Sequence, residues 1–326
     1  MSKIVVDMGS WKTVLSSVSK NTNLMDRTLI AISKKRGKVV EIGEKALSKF
    51  RELGEEEIEL VKPIRKGNIM DAELMAEYIR KMLKKLELFQ LRKRMIFILP
   101  AQLGGNLRSV RKISQLLGLS SSFIQNPISI CVGSGLRMDE VDARIIMDMG
   151  YEKTEVSLLS FQGVRKVIVS DLGWSKVERF VENFIRRDRS VRIDPESLEA
   201  LKKFLGKSIS DEEEVFMKGV DLSGKPVKFV VNLGELGNEI EFFLRDEIFK
   251  LRKILKDLPV GMVGSVLRGC VILSGGLSFL RRVRRMVEET FNLRVKRVKD
   301  PAIVSVEGGK LILRDKALRR KFLMEI

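Results

Sequence analysis

Apolar residues follow two rhythms along this chain. Over Asp71 to Leu86, Arg108 to Leu117, Ser175 to Arg187, Pro195 to Leu205, Gly234 to Leu255 and Leu280 to Thr290 they recur at three- and four-residue spacings. That spacing puts them on one face of a helix and predicts six helices. Arg94 to Leu99, Gly163 to Val169 and Gly269 to Leu273 read instead as strands alternating with those helices. Two further β-branched runs, Lys3 to Asp7 and Arg144 to Met147, share an ending. Each meets Asp-Met-Gly, at Asp7 to Gly9 and Asp148 to Gly150, and is followed by a second β-rich stretch, Lys12 to Val18 and Thr154 to Ser160. Both predict β-hairpins, so the pattern is α/β with two similar halves. No Pro- or Gly-rich linker separates the halves, which predicts a junction through packed elements.

Composition narrows the partners. The chain has 326 residues, 44% of them hydrophobic, enough to fill two domains or one large one. A net charge of +18 calls for an anionic partner: membrane lipid, nucleic acid or an acidic protein. Nucleic acid fits poorly, because two Trp and two Tyr leave few rings for base stacking and no binding signature is present. The apolar stretch Met95 to Ala101 falls far short of the roughly 20 residues a spanning helix needs. Lys3 is followed only by Ile4 to Val6 before Asp7, too little for a secretory signal, so a cytoplasmic protein is expected. There is no histidine, which excludes Ser-His-Asp chemistry and His-based zinc sites. Cys131 and Cys270 are too far apart in sequence for a metal-ligand pair and are expected as small buried apolar residues in a reducing compartment.

A strand that ends in Asp-x-Gly and turns back sets backbone N–H groups and one carboxylate at a tight bend. Such a bend can cradle phosphate and a hydrated Mg²⁺. GCVILSGGLSF, Gly269 to Phe279, adds a strand running into Gly275 and Gly276, where a phosphate or ribose could approach bare backbone. Taken singly, each motif also has a plain reading, an Asp-capped turn or a strand-to-helix bend.

The order of DMGSWKT (7 to 13), LVKPIRKGNIMDAELMAEYI (60 to 79), DMGYEKTEVSLLS (148 to 160), VILSGGLSFL (271 to 280) and EETFNLRVKRVKDPAIVSVEGG (288 to 309) resembles the bacterial actin homologue MreB over essentially the whole chain. The resemblance implies an actin-like, ribonuclease H-like duplicated fold of two lobes with ATP and Mg²⁺ in a central cleft. It places lobe I at 1–145 plus 305–326 with a small insertion at about 20–65, and lobe II at 146–304 with one at about 186–236. It assigns nucleotide contacts to Asp7, Gly9, Ser10, Lys12, Asp148, Gly150, Lys202, Gly275 and Gly276, Mg²⁺ and water coordination to Asp7 and Asp148, and water positioning to Gln125. It also implies filaments formed with itself or with a true MreB paralogue, cell-wall elongation proteins as partners, and a peripheral position on the inner face of the cytoplasmic membrane.

The departures from that pattern fall on the nucleotide site. Tyr151 and Glu152 replace glycines of the second phosphate hairpin, and Trp11 and Lys12 replace small and amide residues of the first. Leu172, Gly173, Trp174 stand for Gly-Gly-Asp, and Lys202, Lys203, Phe204 for a Lys-x-Glu. Leu277 stands for a third glycine, and Gln125, Asn126, Pro127 for Glu-Glu-Pro. A carboxylate and bulky rings beside triphosphate oxygens are unfavourable at low dielectric. Weak or absent ATP binding and inefficient hydrolysis are therefore expected, although glutamine can orient water without taking its proton. Asp7 and Asp148 stay open between a Mg²⁺ role and a turn-capping role.

KKLELFQLRKR, Lys84 to Arg94, interleaves Leu88 and Phe89 with Lys84, Lys85, Arg92, Lys93 and Arg94. Apolar tips ringed by cations suit an interfacial anchor, and the position matches the membrane-insertion loop of MreB. The competing reading is a helix end whose leucines enter the core. Arg186 to Arg192, Arg281 to Arg285 and Lys316 to Lys321 are further basic clusters, expected as solvated faces or contacts to lipid or an acidic neighbour. The function expected is a membrane-attached cytoskeletal filament protein involved in rod shape. The alternative is an active ATP-binding actin-like ATPase or an adaptor resembling PilM or FtsA.

Overall fold

A computed structural model describes residues 2–86, 93–138, 143–206, 213–256, 258–280 and 282–326. In chain order the first elements are strands β1 (Ser2–Met8), β2 (Lys12–Ser17), β3 (Thr22–Arg27), β4 (Ile30–Ser33) and β5 (Lys38–Ile42), helix α1 (Glu44–Leu53), then β6 (Ile58–Val61), β7 (Ile64–Arg65), β8 (Asn68–Ile69) and helix α2 (Ala72–Lys85). There follow β9 (Lys93–Leu99), α3 (Asn106–Leu117), β10 (Ser120–Gln125), α4 (Asn126–Gly133), β11 (Arg144–Met149), β12 (Thr154–Ser160) and β13 (Gly163–Ser170). Then come α5 (Trp174–Arg189), β14 (Val191–Ile193), α6 (Pro195–Leu205), β15 (Glu214–Asp221), β16 (Pro226–Asn232), α7 (Leu233–Leu251) and α8 (Val260–Arg268). The chain closes with β17 (Cys270–Ser274), α9 (Val283–Phe291), β18 (Arg294–Arg297), α10 (Val304–Arg314), α11 (Lys316–Phe322) and β19 (Met324–Glu325).

The sequence echo extends to whole sheets. One sheet runs β19-β10-β9-β1-β2-β3 and the other β13-β12-β11-β17-β18. Read from the first hairpin, β10-β9-β1-β2-β3 is matched in order by β18-β17-β11-β12-β13. In each half a hairpin opens the sheet, a later strand adds beside its first strand and a further one beside that. The chain divides into two compact units, residues 1–146, 157–167 and 298–326 in one and 147–156 and 168–297 in the other.

Within the first unit the core gathers Ile4, Val6, Leu15, Met75, Ile79, Met82, Phe97 and their neighbours between sheet and helices. Helix α2 starts where Asp71 accepts from the N–H groups of Glu73 and Leu74 at 2.8 and 2.9 Å, and its last turn is basic, so both ends oppose the helix dipole favourably. A smaller sheet, β5-β4-β6, is covered by α1 with its own cluster of Leu29, Ala31, Ala46 and Ile58. In the second unit the three-stranded sheet β14-β15-β16 holds the corresponding place in the chain order.

Helix α10 fits the first sheet through missing side chains. A Cβ on Gly308 would lie 1.8 Å from the Ser129 carbonyl of α4, and one on Gly309 2.9 Å from Val5 Cγ1. The span read as one helix from Gly234 to Leu255 ends as an α-helix at Leu251 and tightens into a 3₁₀ turn over Arg252–Leu255. Of the two cysteines, Cys131 is buried as expected, but Cys270, at the start of a strand next to the end of its sheet, is only half-buried.

Candidate functional site

The two Asp-Met-Gly turns are built alike. Gly9 N–H donates to the Lys12 carbonyl at 3.0 Å and Gly150 N–H to the Lys153 carbonyl at 2.8 Å. A Cβ at Gly9 would meet Lys12 O at 2.8 Å and one at Gly150 would meet Lys153 O at 3.1 Å, so the turn's own closure demands glycine at the first and strongly favours it at the second. The repeat is longer than Asp-x-Gly, reading Asp-Met-Gly-x-x-Lys-Thr in both hairpins. Each threonine is fully buried: Thr13 Oγ1 shares a hydrogen bond with Thr28 Oγ1 at 2.9 Å, and Thr154 Oγ1 donates to the Leu172 carbonyl at 2.8 Å. Lys153, absent from the sequence-derived site, was legible in that seven-residue repeat.

In the first hairpin Asp7 is the next-to-last residue of β1 and accepts a hydrogen bond from the Ser305 hydroxyl of α10. Burial pushes the Lys12 ammonium pKa below its ordinary value, while the nearby charges of Asp300 and Asp7 act to raise it. Ser10 is nearly buried, and its hydroxyl lies 3.4 Å from the Gly67 N–H in the β7–β8 turn. Asn106 fastens that turn by donating to the Gly67 carbonyl at 2.9 Å and accepting from Ile69 N–H at 3.0 Å. The segment 62–70 thus serves as a brace under the first hairpin. Trp11 is held to its own sheet: its carbonyl accepts from Thr28 N–H at 2.9 Å and the Arg27 guanidinium lies 4.0 Å from the ring centroid. Gln125 ends β10, and its Nε2 donates to the Ala101 carbonyl at 3.3 Å.

In the second hairpin Tyr151 and Lys202 converge on one carboxylate. The Tyr151 hydroxyl donates to Glu178 Oε2 at 2.8 Å, Lys202 pairs with the other oxygen, and the Lys202 ammonium sits 5.4 Å from the Tyr151 ring centroid. Helix α5 starts on this turn, with Trp174 N–H donating to Gly150 O at 3.2 Å and Ser175 N–H to Tyr151 O at 2.8 Å. A Cβ at Gly173 would lie 2.4 Å from Tyr151 O, so the turn and the helix start approach through bare backbone. Asp148 lies in β11 two residues before the turn glycine, as Asp7 does in β1.

The glycine pair after β17 is used by the protein itself. Gly275 has φ +83°, and a Cβ there would lie 2.2 Å from Met149 O. A Cβ on Gly276 would touch the Trp174 indole at 3.5 Å. Bare backbone at Gly275 therefore admits the neighbouring strand rather than a ligand. Leu277, expected to crowd a nucleotide, is fully buried in the core.

The donor chemistry of the first hairpin, a carboxylate and a half-buried ammonium around a glycine turn, suits a phosphate with a hydrated divalent cation. The Lys202 ammonium, which the resemblance assigns to a nucleoside, is already matched by Glu178. Among the described residues no cluster of three or more carboxylate, Cys or His ligands could hold a metal by itself.

Of the proposed membrane segment, Leu88, Phe89 and Arg92 lie outside the described residues. Lys84 and Lys85 close α2 and Lys93 and Arg94 open β9. Two of these cations are engaged within the protein: Lys85 pairs with Asp26 at 2.7 Å, and Arg94 pairs with Glu325 and donates to Ser122 Oγ at 2.9 Å from Nε. Among the described residues no helix is long and apolar enough to cross a membrane.

Comparison with known proteins fits this architecture. The chain is 23% identical over 317 residues to the cell shape-determining protein MreB of Escherichia coli K12, covering 93% of this chain and 91% of that one. It is 22% identical to the cell shape-determining protein Mbl of Bacillus subtilis 168, covering 98% of each. Among solved structures, MreB5 of Spiroplasma citri bound to ADP superposes with a TM-score of 0.88 at 17% identity over 98% of both chains. A MamK double helical filament subunit gives 0.74 at 17% identity, over 96% of this chain and 99% of that one. The fold is thus actin-like. The family model for MreB/Mbl protein matches residues 1–321, and the chain belongs to the MreB/Mbl family.

Proposed function

We propose that this chain is a filament-forming cytoskeletal protein that helps set rod cell shape from the inner face of the cytoplasmic membrane, assembling with itself or with a second MreB, and that it binds ATP weakly and hydrolyses it poorly. Family membership over nearly the whole chain supports the cytoskeletal part. A head-to-tail contact between copies whose rotation does not close propagates into a filament.

The observation that carries the nucleotide part is the Tyr151–Glu178–Lys202 cluster. A ligand that must displace an internal ion pair gains only the difference between the new contacts and the old. The Glu178 carboxylate would also repel phosphate oxygens drawn close to it. A second reading, an active ATP-binding relative, is favoured by the matched Asp-Met-Gly turns, and MreB5 of Spiroplasma citri was solved with ADP and with AMPPNP.

Melting with excess Mg-ATP separates them. Ligand at a hundred times its Kd would add about 2.7 kcal/mol, so a clear rise in melting temperature at millimolar Mg-ATP, absent with AMP, selects the second reading. Filaments are expected by sedimentation and electron microscopy without hydrolysis. Monomers alone under all conditions, including with a co-expressed MreB, would refute the cytoskeletal assignment. For the membrane, Leu88→Ser with Phe89→Ser is expected to release the protein from anionic vesicles while keeping its cooperative melt. Loss of that melt would mark the two residues as core instead.

A further inference from the structure

The first sheet has a concave feature at the end of β1 away from Asp7. It is a cavity of about 440 Å³ ringed by Lys3, Arg94, Lys316, Arg319 and Arg320, with Glu325 as its single carboxylate. A shallower depression lined by Lys316, Ala317, Arg320 and Lys321 adjoins it, and Lys316 and Arg320 border both.

Backbone geometry fixes this arrangement. Helix α10 runs antiparallel to β1, with Ser305 on Asp7 and Gly309 on Val5. Four helix residues rise about 6 Å and two strand residues about 6.6 Å, so the next step brings Leu313 beside Lys3, and both line the cavity. Asp315 then caps α11 by accepting from Leu318 N–H at 2.8 Å, which starts the basic helix at the cavity edge. Strand β19 returns opposite β10 with Glu325 in register with Ser122, and Lys3 and Arg94 are direct partners on parallel strands.

The charge is left uncompensated. Glu325 is taken by Arg94, and Arg319 donates to the Leu313 carbonyl at 3.4 Å. Lys3, Lys316 and Arg320 form no ion pair among the described residues. Like charges on partnered strands and on one helix turn are destabilising, so the fold bears a repulsion that a dianion would relieve. The Arg320 guanidinium fork, with the Lys3 and Lys316 ammonium groups, matches the oxygens of a phosphate, and buried Ile96 and Leu313 at the wall lower the local dielectric.

We propose that this cavity is a phosphate-monoester site, separate from the Asp-Met-Gly turns, that takes either a free phosphate ester or the head group of phosphatidic acid. The test uses the full chain, with glycerol 3-phosphate in a calorimetric titration and vesicles of phosphatidylcholine with or without phosphatidic acid in co-sedimentation. Lys316→Ala with Arg320→Ala should weaken binding by about fivefold per basic group and so about twenty-fivefold together. Arg186→Ala with Arg187→Ala removes the same charge from α5 in the other unit and should leave it unchanged. Should the alanine pair lose its cooperative melt, Lys316→Gln with Arg320→Gln is read in its place. Binding of glycerol 3-phosphate that the pocket variant loses assigns a soluble ester. Binding only to phosphatidic acid vesicles, lost in the same variant, assigns the head group. The proposal is overturned if wild type binds neither probe, if the pocket variant binds as wild type does, or if both double variants lose binding alike.

Discussion

Lys202→Met is expected to destabilise the second unit by about 3 kcal/mol, because it strands a carboxylate. The side chains of Glu178 and Lys202 are only 13% and 19% exposed, so little water is available to replace the lost ammonium. Removing one partner of a buried ion pair costs roughly 3–5 kcal/mol. The surviving Tyr151 hydrogen bond, of a kind worth about 1.5–3 kcal/mol to a charged acceptor, places this case at the lower end. Methionine keeps the apolar stem, so loss of packing is a minor part of the change. Adding Glu178→Gln to Lys202→Met removes the stranded charge while leaving an acceptor for Tyr151, and should recover about 2 kcal/mol. The assay is a urea-unfolding cycle over wild type, both single variants and the double, with thermal melts alongside. About 3 kcal/mol in a unit of this size corresponds to roughly 6–12 °C. Additivity within about 0.5 kcal/mol, or a Lys202→Met cost below about 1 kcal/mol, would show that the pair behaves as a solvated surface pair and refute the reasoning. Glu178→Gln alone has a functional readout as well: it frees Lys202, and protection by Mg-ATP should then increase.

Lys12 carries a folding penalty at neutral pH, since burial lowers its pKa and the folded state resists its proton. The penalty is full below the folded pKa and fades as pH rises through that value towards the ordinary lysine range. Lys12→Met should therefore stabilise the protein at pH 8, with the gain shrinking by pH 10 in matched denaturation curves; a gain constant with pH would contradict this. Gly275→Ala combines φ +83° with a Cβ 2.2 Å from backbone and should cost at least about 3 kcal/mol. Gly37→Ala has φ +62° with open space around it and should cost only about 1–2 kcal/mol. Equal losses in the two melts would mean that φ, not the Met149 carbonyl, dictates Gly275. Gly308→Ala should unseat α10 from α4, read as a fall in melting temperature larger than that of Gly37→Ala.

The hairpins were legible because their signals are local: β-branched runs, a glycine the turn closure favours and a polar stretch all lie within about fifteen residues. The same holds for α2, whose Asp71 cap and apolar spacing are complete within the helix. The brief strands β4 to β8 and β14 and the apolar helix α4 escaped the reading. They are too short or too uniformly apolar for either period to show, and α4 buries most of its length. Helix α10 escaped for another reason. Its Gly308 and Gly309 disfavour a helix locally, and only close packing on α4 and β1 repays that cost.

By itself, the sequence determined the duplication, the Asp-Met-Gly turns and the basic character of the chain, because each depends on residue order and local backbone chemistry. Tertiary structure decided what those residues meet. It bound Tyr151 and Lys202 to Glu178, residues that lie 27 and 24 positions away along the chain, and gave Gly275 to the Met149 carbonyl. It also gathered Lys3, Arg94 and the α11 cations around one cavity through the matched steps of α10 and β1. Such pairings are set by which helix crosses which strand and at what register, a choice made by burial of the whole core that no stretch of sequence specifies alone.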